Sequence, residues 1–373
     1  MTETARTDDA TPVASGVVPG IGTLLAGITM VAMFVPVRRG VDDPVVWAGA
    51  AFAVAAVLAF LAQRHGFLEG QIAGLTAAGS SVAVVLLAGY ALNQGVTAPT
   101  GVPMVPLSIP IVFVAFLTAG LTVAAGVADY FGISASGLKQ RSRQAAMLSA
   151  VGLAGLLVTP FVVAILAIPV RPLLEPISQI ESTVFTQVCM ALGTMLVAGT
   201  YLSLTDRDLS FIDVRRPTLR EVGWMIGGLV VLFGTLFLIS FVMQSTGVES
   251  ADHSTTQQAQ ESPDLMLVLV PLAILIIGPF EELLYRNVIQ KSLYDTFSRP
   301  GAVAVASVIF AAVHVLAYAT AGLGAVIASL GTIFGLAIVL GVIYERTDNL
   351  LVPALIHGVY NAILFANLYF VYG

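Results

Sequence analysis

About eleven stretches of roughly 20 predominantly apolar residues follow one another along this chain, each long enough to cross a bilayer as a helix. They lie near 19–37, 44–62, 71–92, 106–127, 145–170, 183–204, 222–243, 265–290, 301–318, 322–344 and 350–371. A segment surrounded by hydrocarbon has to satisfy its own backbone hydrogen bonds, which confines these stretches to α-helix. The fold class that follows is all-α: a polytopic membrane helix bundle of about 11 transmembrane helices.

Composition agrees. Of the 373 residues, 57% are hydrophobic and 10% are charged, and the mean hydropathy is +0.94. A soluble domain carries roughly a quarter charged residues. A net charge of −6 and a pI near 5.2 exclude the basic footprint of a nucleic-acid binder. The single cysteine, Cys189, excludes an intrachain disulfide and any multi-cysteine zinc site, and its apolar setting marks it as a small core hydrophobe. Residues 1–18 read as a disordered cytoplasmic tail. The tail is acidic and no A-x-A site follows the first apolar run, so that run is read as a retained span.

The cationic residues give a direction. Alternate loops hold Arg64; Lys139, Arg141 and Arg143; Arg207, Arg215, Arg216 and Arg220; Lys291 and Arg299; and Arg346, while the opposite loops hold Arg38, Arg39 and Arg171. The bias places the N-terminus in the cytoplasm, the C-terminus outside it and the polar Ser245–Asp264 loop outside. The polar intramembrane residues all follow the charged Asp206–Arg220 loop. We therefore expect an accessory region of about five membrane helices over 19–182 and a functional core over 183–373.

Three polar clusters mark that core. Pro279-Phe280-Glu281-Glu282-Leu283-Leu284-Tyr285-Arg286 sets two carboxylates and an arginine within one apolar run. Glu282 and Arg286 are four apart and share a helix face, which suits an ion pair, while Glu281 points about 100° away. His314 follows Phe310 in the middle of an otherwise uncharged segment. His357 and Asn361 are four apart in another segment, at a depth comparable to Glu281 and toward the arginine-rich side. Each has a plain structural alternative: an interfacial Glu/Arg helix end, a helix–helix hydrogen bond, a polar packing pair. Together they describe a buried site, because ionisable groups in hydrocarbon persist where they pair, line a wet cavity or do chemistry. Gly324, Ala328, Gly331 and Gly335 on the intervening helix permit close approach of its neighbours. His65 and His253 fall in loops and are given no role.

The order E-E-x-x-x-R, F-x-x-x-H, H-x-x-x-N resembles the CPBP family of Abi or CAAX-protease-like intramembrane proteases, with Glu281, Glu282 and Arg286, Phe310 and His314, and His357 and Asn361 in the motif positions. The run Gly341–His357 resembles the family's approach to its last histidine, and the resemblance covers roughly 183–373. It implies peptide-bond hydrolysis within the bilayer. Eukaryotic members trim prenylated CaaX proteins, and prokaryotic members are linked to peptide maturation, bacteriocin immunity and regulated cleavage. Glu281 then resembles the residue that activates water, His314 its assistant, Glu282 with Arg286 a supporting pair, and His357 with Asn361 the groups facing the scissile carbonyl oxygen. A metal-independent glutamate mechanism is favoured slightly over a divalent metal such as zinc, whose ligands would be Glu281, His314 and His357. The expected partners are the lipid bilayer and a membrane-embedded or lipidated protein or peptide substrate. Two other functions use similar residues. A proton-coupled transporter also buries Glu and His, but such carriers commonly place polar groups in both halves of a repeated fold. A non-catalytic scaffold or immunity protein on the same fold would be free to lose the motifs that are intact here.

Overall fold

The structure is a computed structural model that describes residues 16–101, 108–174 and 177–373. Most of the expected N-terminal tail, residues 1–15, lies outside the described residues. The described residues form twelve helices, of which 11 are long and apolar enough to cross a membrane. Large apolar side chains such as Leu24, Leu86, Phe161 and Leu238 stand more than half exposed on them. That is the pattern of a surface solvated by lipid chains.

The chain divides into two compact units, Met1–Ser142 and Arg143–Gly373. The first contains α1 (Val17–Arg38), α2 (Pro44–Arg64), α3 (Gly70–Asn93) and α4 (Ile111–Tyr130). Two three-residue strands, Pro99–Gly101 and Ser108–Pro110, pair antiparallel before α4, a small departure from the all-helical expectation. Lipid gives no hydrophobic drive between helices, so their contact relies on close packing of small residues. Ala26, Ala56, Ala77 and Ala125 accordingly gather around the buried ring of Phe60. A Cβ on Gly126 would stand 2.8 Å from the Gly74 carbonyl oxygen, which records how near α3 and α4 run.

The helix α5 (Ala135–Leu174) starts before the expected span, so Lys139, Arg141 and Arg143 lie in its first turns and not in a loop. From Arg143 onward this helix belongs to the second unit. The reason is packing. Gly152 and Gly155 lie under Tyr285 and Leu284, and the Tyr285 hydroxyl donates to the Gly152 carbonyl at 3.2 Å. The unit continues with α6 (Gln179–Leu204) and α7 (Leu219–Thr246), each opened by a capping box, Ser178/Glu181 and Thr218/Glu221. The expected polar loop after α7 holds a short helix, α8 (Ser254–Glu261). Then come α9 (Asp264–Leu293), α10 (Arg299–Val313), α11 (Leu323–Thr347) and α12 (Leu351–Tyr372).

The arginine-rich end of this unit is stitched by polar side chains. Lys291 Nζ reaches Asp213 at 2.7 Å, the Tyr344 hydroxyl donates to the same carboxylate at 2.6 Å, and Asn287 bonds the Asp213 N–H and the Phe211 carbonyl. Arg215 holds Glu221 and the Thr347 carbonyl, and the Asp213 carbonyl accepts from Leu350 N–H. The loop before α7 thereby joins α9, α11 and α12, the helices that carry or flank the polar clusters.

Candidate active site

Glu281 and Glu282 sit in mid-α9 between two π-helical stretches, Ala273–Ile277 and Leu283–Gln290. Such wide turns are rare and recur at functional sites. Pro271 and Pro279 lie beside them, and neither can donate to the helical ladder. Adjacent helical residues diverge by about 100°, and here the two carboxylates separate accordingly. Glu282 is fully buried, whereas the Glu281 side chain keeps 25% exposure and faces a cavity.

Glu282 is shared. Its Oε2 accepts from Arg286 Nε at 2.8 Å, the expected i,i+4 pair, and its Oε1 lies 2.9 Å from His357 Nδ1. A carboxylate only accepts, so Nδ1 carries the proton. The other ring nitrogen, Nε2, stands 3.8 Å from Glu281 Oε2. The imidazole of His357 therefore lies between the two carboxylates. With His357 neutral the four groups sum to one negative charge; with both its nitrogens protonated they sum to zero.

Phe310 packs at the centre of this arrangement. Its ring lies 4.9 Å from the Arg286 guanidinium carbon, 4.5 Å from the His314 ring, 6.0 Å from the His357 ring and 5.0 Å from Tyr285. The cation–π contact covers a guanidinium whose Nη1 and Nη2 have no hydrogen-bond partner among the described residues. His314 is not mid-helix as expected. It ends α10, where a 3-10 turn (His314–Leu316) takes over, and its Nδ1 lies 2.7 Å from the Phe310 carbonyl oxygen. A carbonyl cannot donate, so His314 holds its proton on Nδ1 and leaves the Nε2 lone pair free to accept one.

Glu281, His314, His357 and Asn361 all line one cavity of about 890 Å³. Four side chains placed by three separate helices thus meet around a single space. Of the α11 glycines, Gly331 is exposed with nothing near it and Gly335 meets the Ile239 side chain of α7, while a Cβ on Gly341 would stand 2.9 Å from Gln290 of α9 and 3.0 Å from Val303 of α10. The close approach is between α9 and α12, at Gly278 and Gly358.

From Glu281, His314, His357 and Asn361 the cavity extends away from the arginine-rich ends of the helices. Its walls include His253, Thr255, Thr256 and Gln258, from the segment joining α7 to α9 at the opposite ends of those helices. His253, given no role above, packs edge-on against Tyr318 at 5.0 Å and accepts the Thr255 N–H on Nδ1. A second missed group is on α6, where Gln179, Ser182, Thr183, Thr186 and Gln187 line the same space. Their i, i+3, i+4, i+7, i+8 spacing was present in the sequence but was averaged away by the apolar residues between them.

A metal would need ligands that converge. Among the described residues no group of three His, Cys, Asp or Glu side chains is placed to hold one. One nitrogen of each histidine is already taken, by Glu282 and by the Phe310 carbonyl.

The chain is a multi-pass helical membrane protein in which Glu281 and two imidazoles line one cavity and Glu282 backs one of those imidazoles. Residues 263–363 match the family model for type II CAAX prenyl endopeptidase Rce1-like proteins, so the chain carries an Rce1-like domain, in keeping with the CPBP/CAAX-protease resemblance. That stretch contains Glu281, Glu282, Arg286, His314, His357 and Asn361, and it supports a protease of this general kind. No curated protein and no solved structure matches the chain.

Proposed function

We propose that this protein is an intramembrane endopeptidase that hydrolyses peptide bonds of membrane-associated or lipid-modified substrates with water activated by Glu281. The observation that carries this reading is the Glu281–His357–Glu282–Arg286 array opening on a cavity that His314 and Asn361 also line.

The chemistry follows from the proton positions. Water is a poor nucleophile and needs a base within hydrogen-bond reach. Glu281 takes a proton from water, aided by the His314 Nε2 lone pair, and the hydroxide adds to the scissile carbonyl carbon. The oxyanion is met by Asn361 Nδ2 and by His357 Nε2, whose donation requires both imidazole nitrogens to be protonated because Nδ1–H is committed to Glu282. Once Glu281 has taken the water's proton, that extra proton leaves the array with one positive charge, which offsets the oxyanion. Collapse breaks the C–N bond, and Glu281 returns its proton to the departing amine. One water is consumed, and an acid and an amine are formed. Arg286 holds Glu282 in place, and Glu282 fixes the His357 ring.

With the arginine-rich ends in the cytoplasm, the N-terminus is cytoplasmic, the C-terminus extracytoplasmic, and the cavity reaches toward the extracytoplasmic face along the α7–α9 segment. Comparative membrane proteomics of cells carrying wild type, Glu281→Ala or His314→Ala tests the activity. Both variants should accumulate an uncleaved polypeptide and lose its product while folding normally in membranes. Continued cleavage of a defined substrate by both variants overturns the proposal.

A further inference from the structure

Peptide hydrolysis in a bilayer meets a difficulty before any bond breaks. The scissile carbonyl must be freed from helical hydrogen bonding, which also frees neighbouring N–H and C=O groups, and each such group costs several kcal/mol in hydrocarbon if left alone. A protein that accepts unwound chain has to offer partners in their place.

The α6 wall of the cavity is built from such partners. Ser182, Thr183, Thr186 and Gln187 carry donors and acceptors but no charge, and they line the same space as Glu281. Some threonines in the membrane helices turn back onto their own backbone, Thr122 to Thr118 at 2.7 Å and Thr347 to Ile343 at 2.8 Å. Thr183 and Thr186 do not, and none of the four side chains has a hydrogen-bond partner among the described residues. Gln179 at the end of this face accepts from Ser262, which joins it to the α7–α9 segment. From Gln179 to Gln187 the face runs about 12 Å at helical rise, the length of roughly four residues of extended chain.

We propose that the polar face of α6 is a docking wall for the main chain of an extended polypeptide, so that the substrate of the Glu281 site is a locally unwound, uncharged membrane segment and not an intact helix. This rests on the endopeptidase reading and narrows its substrate class. Hydroxyls and carboxamides can donate to a freed C=O or accept from a freed N–H, which makes the wall indifferent to side-chain identity over those few residues.

The test uses the full chain in lipid nanodiscs and two dye-labelled single-span peptides of equal length and hydropathy. One has a central Gly-Pro pair that unwinds it; the other has Ala-Leu there and stays helical. Binding is measured on Glu281→Gln, so that cleavage does not intervene. The unwound peptide should bind at least tenfold tighter than the helical one. In the same background, Thr183→Val with Thr186→Val should remove most of that preference, and Thr183→Ser with Thr186→Ser should keep it, because serine restores the hydroxyl that valine lacks. Equal binding of the two peptides, or valine and serine variants that behave alike, overturns the wall. If the binding preference holds but the wild-type chain cleaves neither peptide nor any membrane protein, the wall stands and the endopeptidase reading falls.

Discussion

Gly278 on α9 and Gly358 on α12 meet backbone to backbone. A Cβ on Gly278 would lie 2.6 Å from both Gly358 N and the Ala354 carbonyl oxygen, and a Cβ on Gly358 would lie 2.7 Å from the Ala273 carbonyl oxygen. The atoms in the way are main chain, so relief comes by moving the helices apart. Glu281 and Glu282 follow Gly278 by one turn and His357 precedes Gly358, so this contact sets the 2.9 Å bond between Glu282 and His357. We expect Gly358→Ala or Gly278→Ala to lower cleavage about 100-fold, the typical effect of a 1 Å misplacement, while the protein still inserts and folds. A variant as fast as wild type would show that the contact does not tune the site.

The Glu282–Arg286 pair is fully buried, so its two halves should fail differently alone and together. Glu282→Gln strands the Arg286 guanidinium, and Arg286→Met strands the carboxylate beside His357. Each should cost about 3–5 kcal/mol of stability. The double substitution leaves no stranded charge and should cost less than either single change. Thermal unfolding in detergent measures the cycle, and additive losses would mean that the two groups do not act as a pair.

Much of this was legible in the sequence because membranes simplify the reading. The length of an apolar run gives a span, and an i,i+4 spacing gives the Glu282–Arg286 contact with no tertiary knowledge. Contacts between helices were not legible. The bond from Glu282 to His357 depends on the Gly278–Gly358 approach, and the glycines of α11 looked equally suited to close packing. The π-helical turns around Glu281 leave no spacing signature beyond Pro271 and Pro279. His253 had nothing to distinguish it from any loop histidine, because the cavity that it lines is assembled by chain far from it in sequence. The unit boundary at Ser142 was hidden for the same reason: α5 is as apolar as its neighbours, and its attachment rests on Tyr285 and Leu284.

Donor geometry also bears on metal dependence. The two histidines each spend one nitrogen on a protein acceptor, and no three candidate ligands converge among the described residues. We expect cleavage by the purified chain to be unchanged by a strong zinc chelator. Loss of activity that added zinc restores would mean that the side chains rearrange around a metal.

The α7–α9 segment should loosen on acidification, and His253 is the reason. Burial and the neighbouring His314 push its pKa down from the usual 6.5 to about 4. The neutral form is favoured in the folded segment, where Nδ1 accepts the Thr255 N–H, and protonation removes that acceptor. Between about 4 and 6.5 the opened segment binds more protons than the folded one, so stability is complete above pH 6.5 and declines as pH falls through that window. The segment is pinned by Ala251 N–H to the Ala325 carbonyl and the Ser329 hydroxyl, and by Ser254 N–H to the Ala317 carbonyl. Hydrogen exchange at those two amides, corrected for intrinsic rates, should show protection falling from pH 6.5 to 4.5 in the wild type. His253→Asn cannot titrate there and should hold its protection flat. The same decline in both proteins would assign the effect to another group.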